Sequence, residues 1–468
     1  MNVEVLSRIQ FGLTSGFHFI FPPLNIGLGL CMVIIEAISL TTKAPIYQKM
    51  AKYWTRVFAL IFSLGVATGL VQLFGFGTNW ASYSRYVGDV FGSALGAEGI
   101  FAFFLESGFL AILLFGWDRV SPKLHFFSTL MVALGAHFSA LWILAANSWM
   151  QTPIGHKVVG TGENARAVVT NFWEMAFNLS TIDRIAHTVV ACWITGAFLV
   201  VSISAYYLLK KQHLEFARAS MRIGLIVAGV AIILQLITGD MSAKGVAKNQ
   251  PIKLAAFEGV FNTTDKPTPL YAFGYVDTET ETVTGLAIPA GLSFLVHGNF
   301  TTPVSGLDKV PEGWSAKDRP NVAVVFQTYH LMIGMWALMF VSLLVATFLW
   351  KRNTLETSKW TLRILILSVV FPQIANLAGW MSAEMGRQPW IVYGLLRTSQ
   401  GLSKNIVASQ VLGSLIMFII IYTTLFVMFL YLLHSKIKEG PEALTTAETA
   451  RNYFDEKKRK HRKSNTQK

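Results

Sequence analysis

The chain has 468 residues, 53% of them hydrophobic and only 14% charged, with a mean hydropathy of +0.48. A water-soluble protein carries about 25% charged residues, so that class is excluded, and repeated apolar runs of about 20 residues mark an integral membrane protein. The formal charge of +13 does not point to nucleic acid, because the basic residues sit in short loops and the C-terminal tail, the pattern of cytoplasmic loops facing anionic lipid.

The fold expected is an all-α integral membrane protein, a bundle of about nine transmembrane helices with a polar extracytoplasmic loop between helices six and seven. Residues 1–10 are polar, and the first apolar run lacks a signal-peptide cleavage site. The spans are predicted at 11–40, 57–76, 94–117, 126–146, 185–209 and 223–236, then 322–350, 362–381 and 406–433. The chain thus divides into residues 1–237 with six spans, a loop at 238–321, residues 322–434 with three spans, and a basic tail at 435–468. Lys43, Lys49 and Lys52 follow the first span, Lys210, Lys211, Arg218 and Arg222 the fifth, and Lys351, Arg352, Lys359 and Arg363 the seventh. The intervening loop at 77–90 holds only Arg85. That alternation puts the N-terminus and the 238–321 loop outside and the C-terminus, with its cluster from Lys457 to Lys463, in the cytoplasm. Cys31 and Cys192 lie inside apolar runs and read as small buried hydrophobes. No glycine-rich phosphate loop, metal-binding CxxC or short repeat is found.

Ionisable and soft-ligand residues stand near the span ends. His18, Glu98, His187, Met332 and Glu384 all fall in the outer half of the bilayer under this topology, which suggests one layer of bound cofactors. Imidazole and thioether are the paired axial ligands of a low-spin, electron-transferring haem, so His187 and Met332 form a candidate pair. A lone histidine or carboxylate suits a high-spin haem, the use open to His18, Glu384 and Glu98, with Gly12, Gly16, Phe17 and Phe19 to pack the macrocycle. Glu98 and Glu106 are eight residues apart, so they project in similar directions about 12 Å apart along a helix, as steps of a proton path that Ser107 and Ser139 extend. Arg387 is a partner either for Glu384 or for a haem propionate. His125 and His137 read as histidines bonded to neighbouring carbonyls.

The segments SRIQFGLTSGFHF, VATGLVQLFGFGTNW, GAEGIFAFFLES, FGWDR, SALWILAANSWMQ, HTV at His187, KLAAFE and GRQPW together resemble subunit I of the cytochrome bd quinol oxidases over nearly the whole chain. The resemblance implies a bacterial inner-membrane quinol:oxygen oxidoreductase. Its cofactors would be a low-spin haem b, a high-spin haem b, and haem d or a third haem b. Its substrates would be O2 and ubiquinol or menaquinol, and its partners a second large subunit and sometimes tiny single-span ones. Carried over residue by residue, His187 and Met332 match the low-spin ligands, and His18 and Glu384 the high-spin positions, with Glu98 beside them. Lys253 and Glu258 in KLAAFE match the quinol-loop residues; a carboxylate there suits the base that takes a quinol proton. Glu106 and Ser139 match the cytoplasmic proton route, which supports charge separation without a pump. The 238–321 loop resembles the short-loop branch, some of whose members are cyanide-insensitive and carry only b-type haem. His330 stands where relatives can carry arginine. Two competing classes are a haemless ion-coupled transporter, for which no inverted repeat or pair of proline-broken spans is found, and a haem-bearing quinone reductase that does not use oxygen.

Overall fold

The computed structural model describes residues 2–442; the Lys457–Lys463 cluster lies outside them. Among the described residues, eight helical paths are long and apolar enough to cross a bilayer. They comprise α1 (Val3–His18) with α2 (Phe21–Thr42), α3 (Pro45–Thr78), and α6 (Pro122–Gln151). Then come α7 (Thr181–Lys210), α8 (Leu214–Asn249), α10 (Val322–Lys351), α11 (Lys359–Leu367) with α12 (Val370–Met385), and α13 (Ala408–Glu439). The predicted span at 94–117 is a ninth path in three pieces: α4 (Gly88–Glu98), a π-helical turn at Gly99–Phe103, and α5 (Phe104–Phe115).

Two boundaries move. The stretch expected as loop from residue 238 begins as helix, since α8 continues to Asn249 and is followed by α9 (Pro251–Glu258). The stretch expected as tail from residue 435 begins inside α13. In both cases the apolar run ends earlier than the hydrogen-bonded helix, because polar residues extend a helix once it has left lipid.

The structure also corrects the expectation that no pair of spans is broken by proline. Pro22 and Pro23 open α2, and the path breaks at Phe19 and Ile20; Pro372 sits just after a second break at Ser368 and Val369. A proline lacks the N–H that would bond the carbonyl four residues back and pushes that carbonyl aside. The two breaks meet, because Gln373 Nε2 donates to Ile20 O at 3.2 Å. His18 therefore sits at a kink rather than within a straight helix.

The helices pack through small residues. A Cβ on Gly196 of α7 would run into the backbone of Gly27 and Leu28 on α2, so the two backbones touch, as membrane helices do where lipid supplies no hydrophobic drive. Gly196→Val is expected to prevent assembly, at a cost of at least the roughly 1–3 kcal/mol typical of overpacked cores. Size-exclusion chromatography of the membrane extract checks it; a normal complex peak would contradict the backbone contact.

The connections segregate by end. Residues 43–44, 116–121, 211–213 and 352–358 form the short links at one end. At the other end lie three antiparallel hairpins, each two strands: β1 (His156–Val159) with β2 (Arg166–Val169), β3 (Leu270–Asp277) with β4 (Thr282–Ile288), and β5 (Trp390–Val392) with β6 (Leu396–Arg397). The start of α1 belongs to the hairpin end, where Asn79 Nδ2 donates to Gln10 Oε1 at 2.7 Å.

Candidate redox and quinol sites

Glu384, on the last turn of α12, lies at the centre of a polar network at the hairpin end. Its Oε1 accepts from Asn147 Nδ2 at 3.1 Å and from Gln151 Nε2 at 3.2 Å, and its Oε2 pairs with Arg387. Oε1 thus has both lone pairs engaged, and Oε2 keeps one free. Arg184 on α7 bonds to Asn147, and Lys253 on α9 bonds to Gln151. Two guanidinium groups and one amine thus gather around one carboxylate. Arg387 is 3% exposed, yet its Nε and Nη1 have no partner. Buried N–H groups are rarely left unpaired, and a guanidinium fork is built for a carboxylate. The unpaired guanidinium nitrogens give this cluster the donors that an anionic group such as a haem propionate would need. Asn147, Gln151 and Arg184 were missed in the sequence, although all but Arg184 lie in the segment SALWILAANSWMQ.

Lys253 is 1% exposed. Burial holds its amine well below the usual lysine range, and the neighbouring Arg184 and Arg387 guanidinium groups add to the effect while Glu384 opposes it. The close approach depends on Gly386, where a Cβ would stand 2.9 Å from Lys253 Cγ. Glu258 ends α9 and is buried, with Oε2 lacking a partner. Burial pushes its carboxyl up to about 8, opposed in part by a hydrogen bond from the Tyr329 hydroxyl of α10. The ring of Phe257 stacks on Tyr329 at 4.6 Å and holds the hydroxyl in place. Tyr329 was not singled out from the sequence.

Each of the three candidate iron ligands on nitrogen or sulfur faces a glycine of a neighbouring helix. A Cβ on Gly69 would stand 3.2 Å from His18 Cε1, one on Gly239 3.6 Å from His187 Cε1, and one on Gly379 2.8 Å from Met332 Sδ. Side chains at these positions would crowd the imidazoles and the thioether. The Thr68 hydroxyl donates to Leu64 O at 2.7 Å, so at 2.9 Å from His18 Nδ1 it accepts, which leaves the Nε2 lone pair of His18 for a metal. Gln235 Nε2 lies 3.1 Å and 3.3 Å from the two nitrogens of His187, and Gln235 Oε1 is buried with no partner. The amide thus straddles the imidazole and leaves its own oxygen unpaired. His187 is on α7 against α8, and Met332 is on α10 against α12. The packing residues expected around His18 divide: Phe19 lies edge-on to Trp380 at 5.3 Å, but Phe17 stacks on Tyr422 of α13 at 4.3 Å, and Gly12 faces open space.

Glu98 and Glu106 both face α6. Ser139 donates to Glu98 Oε1 at 2.5 Å, and a Cβ on Gly135 would stand 2.9 Å from Glu106 Cβ. In an unbroken α-helix, eight residues overshoot two turns. The π turn between the two acids bonds i to i+5 and takes up the surplus residue, returning both to one face. The five residues expected at one depth do not share it. Glu98 meets α6 at Ser139, eight to twelve residues from the contacts of Glu384 at Asn147 and Gln151, or about 12–18 Å along the helix. The third path starts at Gly88 rather than 94, which carries Glu98 inward.

His125 and His137 are satisfied as expected. His137 Nδ1 bonds to Ala133 O at 2.7 Å, and His125 Nε2 bonds to Leu113 O at 3.2 Å while its Nδ1 pairs with the buried Glu36 at 3.1 Å. His330 bridges Phe326 O and Tyr271 O, each at 2.9 Å, so it ties α10 to β3 rather than reaching the cationic cluster.

Fold and site define an integral membrane protein with a buried cationic cluster at one end of its helical bundle. A profile of the cytochrome bd terminal oxidase subunit I family matches residues 6–441. The chain is 38% identical to cytochrome bd ubiquinol oxidase subunit 1 of Bacillus subtilis, over 94% of this chain and 95% of that one. It is 35% identical to cytochrome bd-II ubiquinol oxidase subunit 1 of Escherichia coli, over 95% and 98%. It superposes on the structure of bd oxidase from Geobacillus thermodenitrificans with a TM-score of 0.85 and 29% identity, over 94% and 99%. The chain belongs to the cytochrome bd terminal oxidase subunit I family, and its activity is that of a membrane-bound quinol oxidase.

Proposed function

We propose that this chain oxidises quinol at its hairpin end, which faces outside the bacterial cytoplasmic membrane, and supports reduction of O2 to water at haems held in its outer and central layers. The N-terminus is then outside and the C-terminus cytoplasmic, in keeping with the basic residues at the short-link end. The observation that carries the reading is the buried Arg387 with two unpaired nitrogens, beside a second guanidinium, Arg184, against the single carboxylate of Glu384.

Bound haem supplies the one-electron iron chemistry that side chains lack. His187 and Met332 would hold a low-spin haem b. His18 and Glu384 would serve a high-spin haem b and a haem d or third haem b, with Glu98 beside them and Arg387 and Arg184 on propionates. Glu258, kept near neutral pKa by burial, accepts a quinol proton, and Lys253 orders Gln151 and thereby Glu384. Glu106 and Glu98 hold protons drawn from the short-link end for water formation. Taking protons from one side and releasing quinol protons on the other builds proton motive force without a pump. The short 238–321 loop is in keeping with the Escherichia coli alignment, which runs over 506 positions and so includes insertions that this 468-residue chain lacks. Partners are subunit II, small single-span subunits, membrane lipid, ubiquinol or menaquinol, and O2.

The test is quinol-driven oxygen uptake by the purified complex together with pyridine haemochrome extraction. A complex without Soret absorption would sink the haem reading, and haem without oxygen uptake would favour a quinone reductase. Glu106→Gln is expected to lower oxygen uptake roughly 100-fold while anaerobic reduction of the haems by quinol stays normal; loss of both would remove Glu106 from the proton route.

A further inference from the structure

We propose that the β3–β4 hairpin is seated in the membrane, with its free face among the headgroups and first acyl segments of the leaflet at the hairpin end. Its depth follows from α10. Residues 331–350 of that helix form an uncharged, largely apolar run of 20 residues, about 30 Å of helix and the thickness of the hydrocarbon layer. The rim of that layer therefore falls at His330, with Gln327 one turn above it. Both are bonded to the hairpin: Gln327 Nε2 donates to Gly274 O at 3.1 Å, and His330 Nε2 is 2.9 Å from Tyr271 O. Strand β3 thus slants down the outer turns of α10 to the edge of the hydrocarbon.

The polarity of the hairpin follows the same gradient. Asp277, Glu279 and Glu281 crowd the turn, which is the end remote from the rim. Phe273 pairs with Leu286 and Tyr275 with Thr284 on one face, joined by Ile288. Phe273, Tyr275, Leu286 and Ile288 are 48–69% exposed. Beyond β4, the exposed Phe294 stacks on Phe300 at 4.7 Å. The opposite face is covered, since Val276 and Val283 pack with Ile252, Phe257 and Phe261. The free face continues the exposed apolar surface of α10 at Leu331 and Ile333. Phenyl and phenol rings at the level of the headgroups, with carboxylates above them in water, are what an interfacial element presents to lipid. The same hairpin backs α9, so the segment bearing Lys253 and Glu258 is held at the lipid surface.

The inference rests on the span assigned to α10 and not on the role of Glu258. It is tested on the complete oxidase in vesicles of phosphatidylethanolamine and phosphatidylglycerol, with a nitroxide on Leu286→Cys and, separately, on Glu279→Cys. Cys31 and Cys192 are buried, which directs the label to the introduced thiol. Power saturation should show the label at 286 several-fold more accessible to oxygen than to a water-soluble nickel chelate, and the label at 279 the reverse. Ile288→Cys serves as a second probe of the same face. Nickel access at 286 and 288 equal to that at 279 would put the face in water, and closure to both reagents would put it under a protein partner; either result overturns the proposal.

Discussion

Replacing His187 with alanine is expected to abolish the low-spin haem band in the reduced spectrum while the high-spin features remain. The reasoning is local. His187 is one turn from Arg184 on a helix that alanine favours, so the backbone and the cationic cluster survive the change. What is lost is the imidazole facing Gly239 and Gln235, and a thioether alone does not hold a six-coordinate low-spin iron. Turnover should fall at least 100-fold, equivalent to about 2.7 kcal/mol. Gly379→Ala is the graded companion. Its Cβ would stand 2.8 Å from Met332 Sδ, so the thioether must move, and the same band should shift rather than vanish. An unchanged spectrum in the His187 variant would remove that residue as a ligand.

Glu258→Gln is expected to slow quinol turnover roughly 10²–10⁴-fold with haem content intact. The carboxyl is buried with one oxygen unpartnered, and burial raises its pKa to about 8. The base is the ionised form, so the native rate should rise with pH through about 8, and the glutamine variant should lose that rise. The same shift has a stability consequence of defined sign. A raised carboxyl pKa means that the folded protein binds the proton more tightly than the unfolded chain, so the contribution is present below the ordinary glutamate value. It is lost as pH rises toward about 8. Native thermal stability relative to the glutamine variant should therefore decline across that window. Normal quinol turnover in the variant would count against the role of Glu258 as base.

The rate and stability readouts separate two ways of failing. A variant that binds haem normally but turns over slowly points to proton transfer at α9. A variant that loses haem points to a broken Gln151–Glu384 network, which Lys253 shares.

Some of the local geometry of the candidate site was legible in the sequence. Glu384 and Arg387 are three residues apart and pair directly, and Lys253 and Glu258 occupy one short helix. Glu98 and Glu106 share a face because the π turn absorbs a residue, a detail no residue spacing encodes. The expected single layer failed for a related reason: depth was counted from the ends of apolar runs, whereas helices such as α1 and the third path begin in polar sequence. The kink at His18 was written in Pro22 and Pro23, yet its contact with the second break through Gln373 was not.

By itself, the amino-acid sequence determined that this protein lives in lipid, roughly how many times it crosses, and which side chains are chemically able to ligate iron or carry protons. Those properties add up residue by residue along the chain. Only the tertiary structure decided which glycine each candidate ligand faces, that Arg184, Lys253 and Arg387 converge on the Glu384 network, and that the β3–β4 hairpin of the 238–321 segment bonds back to Gln327 and His330 of α10. Such outcomes depend on the rotation, tilt and breakage of helices packed against one another, which hydrophobicity along a single chain leaves undetermined.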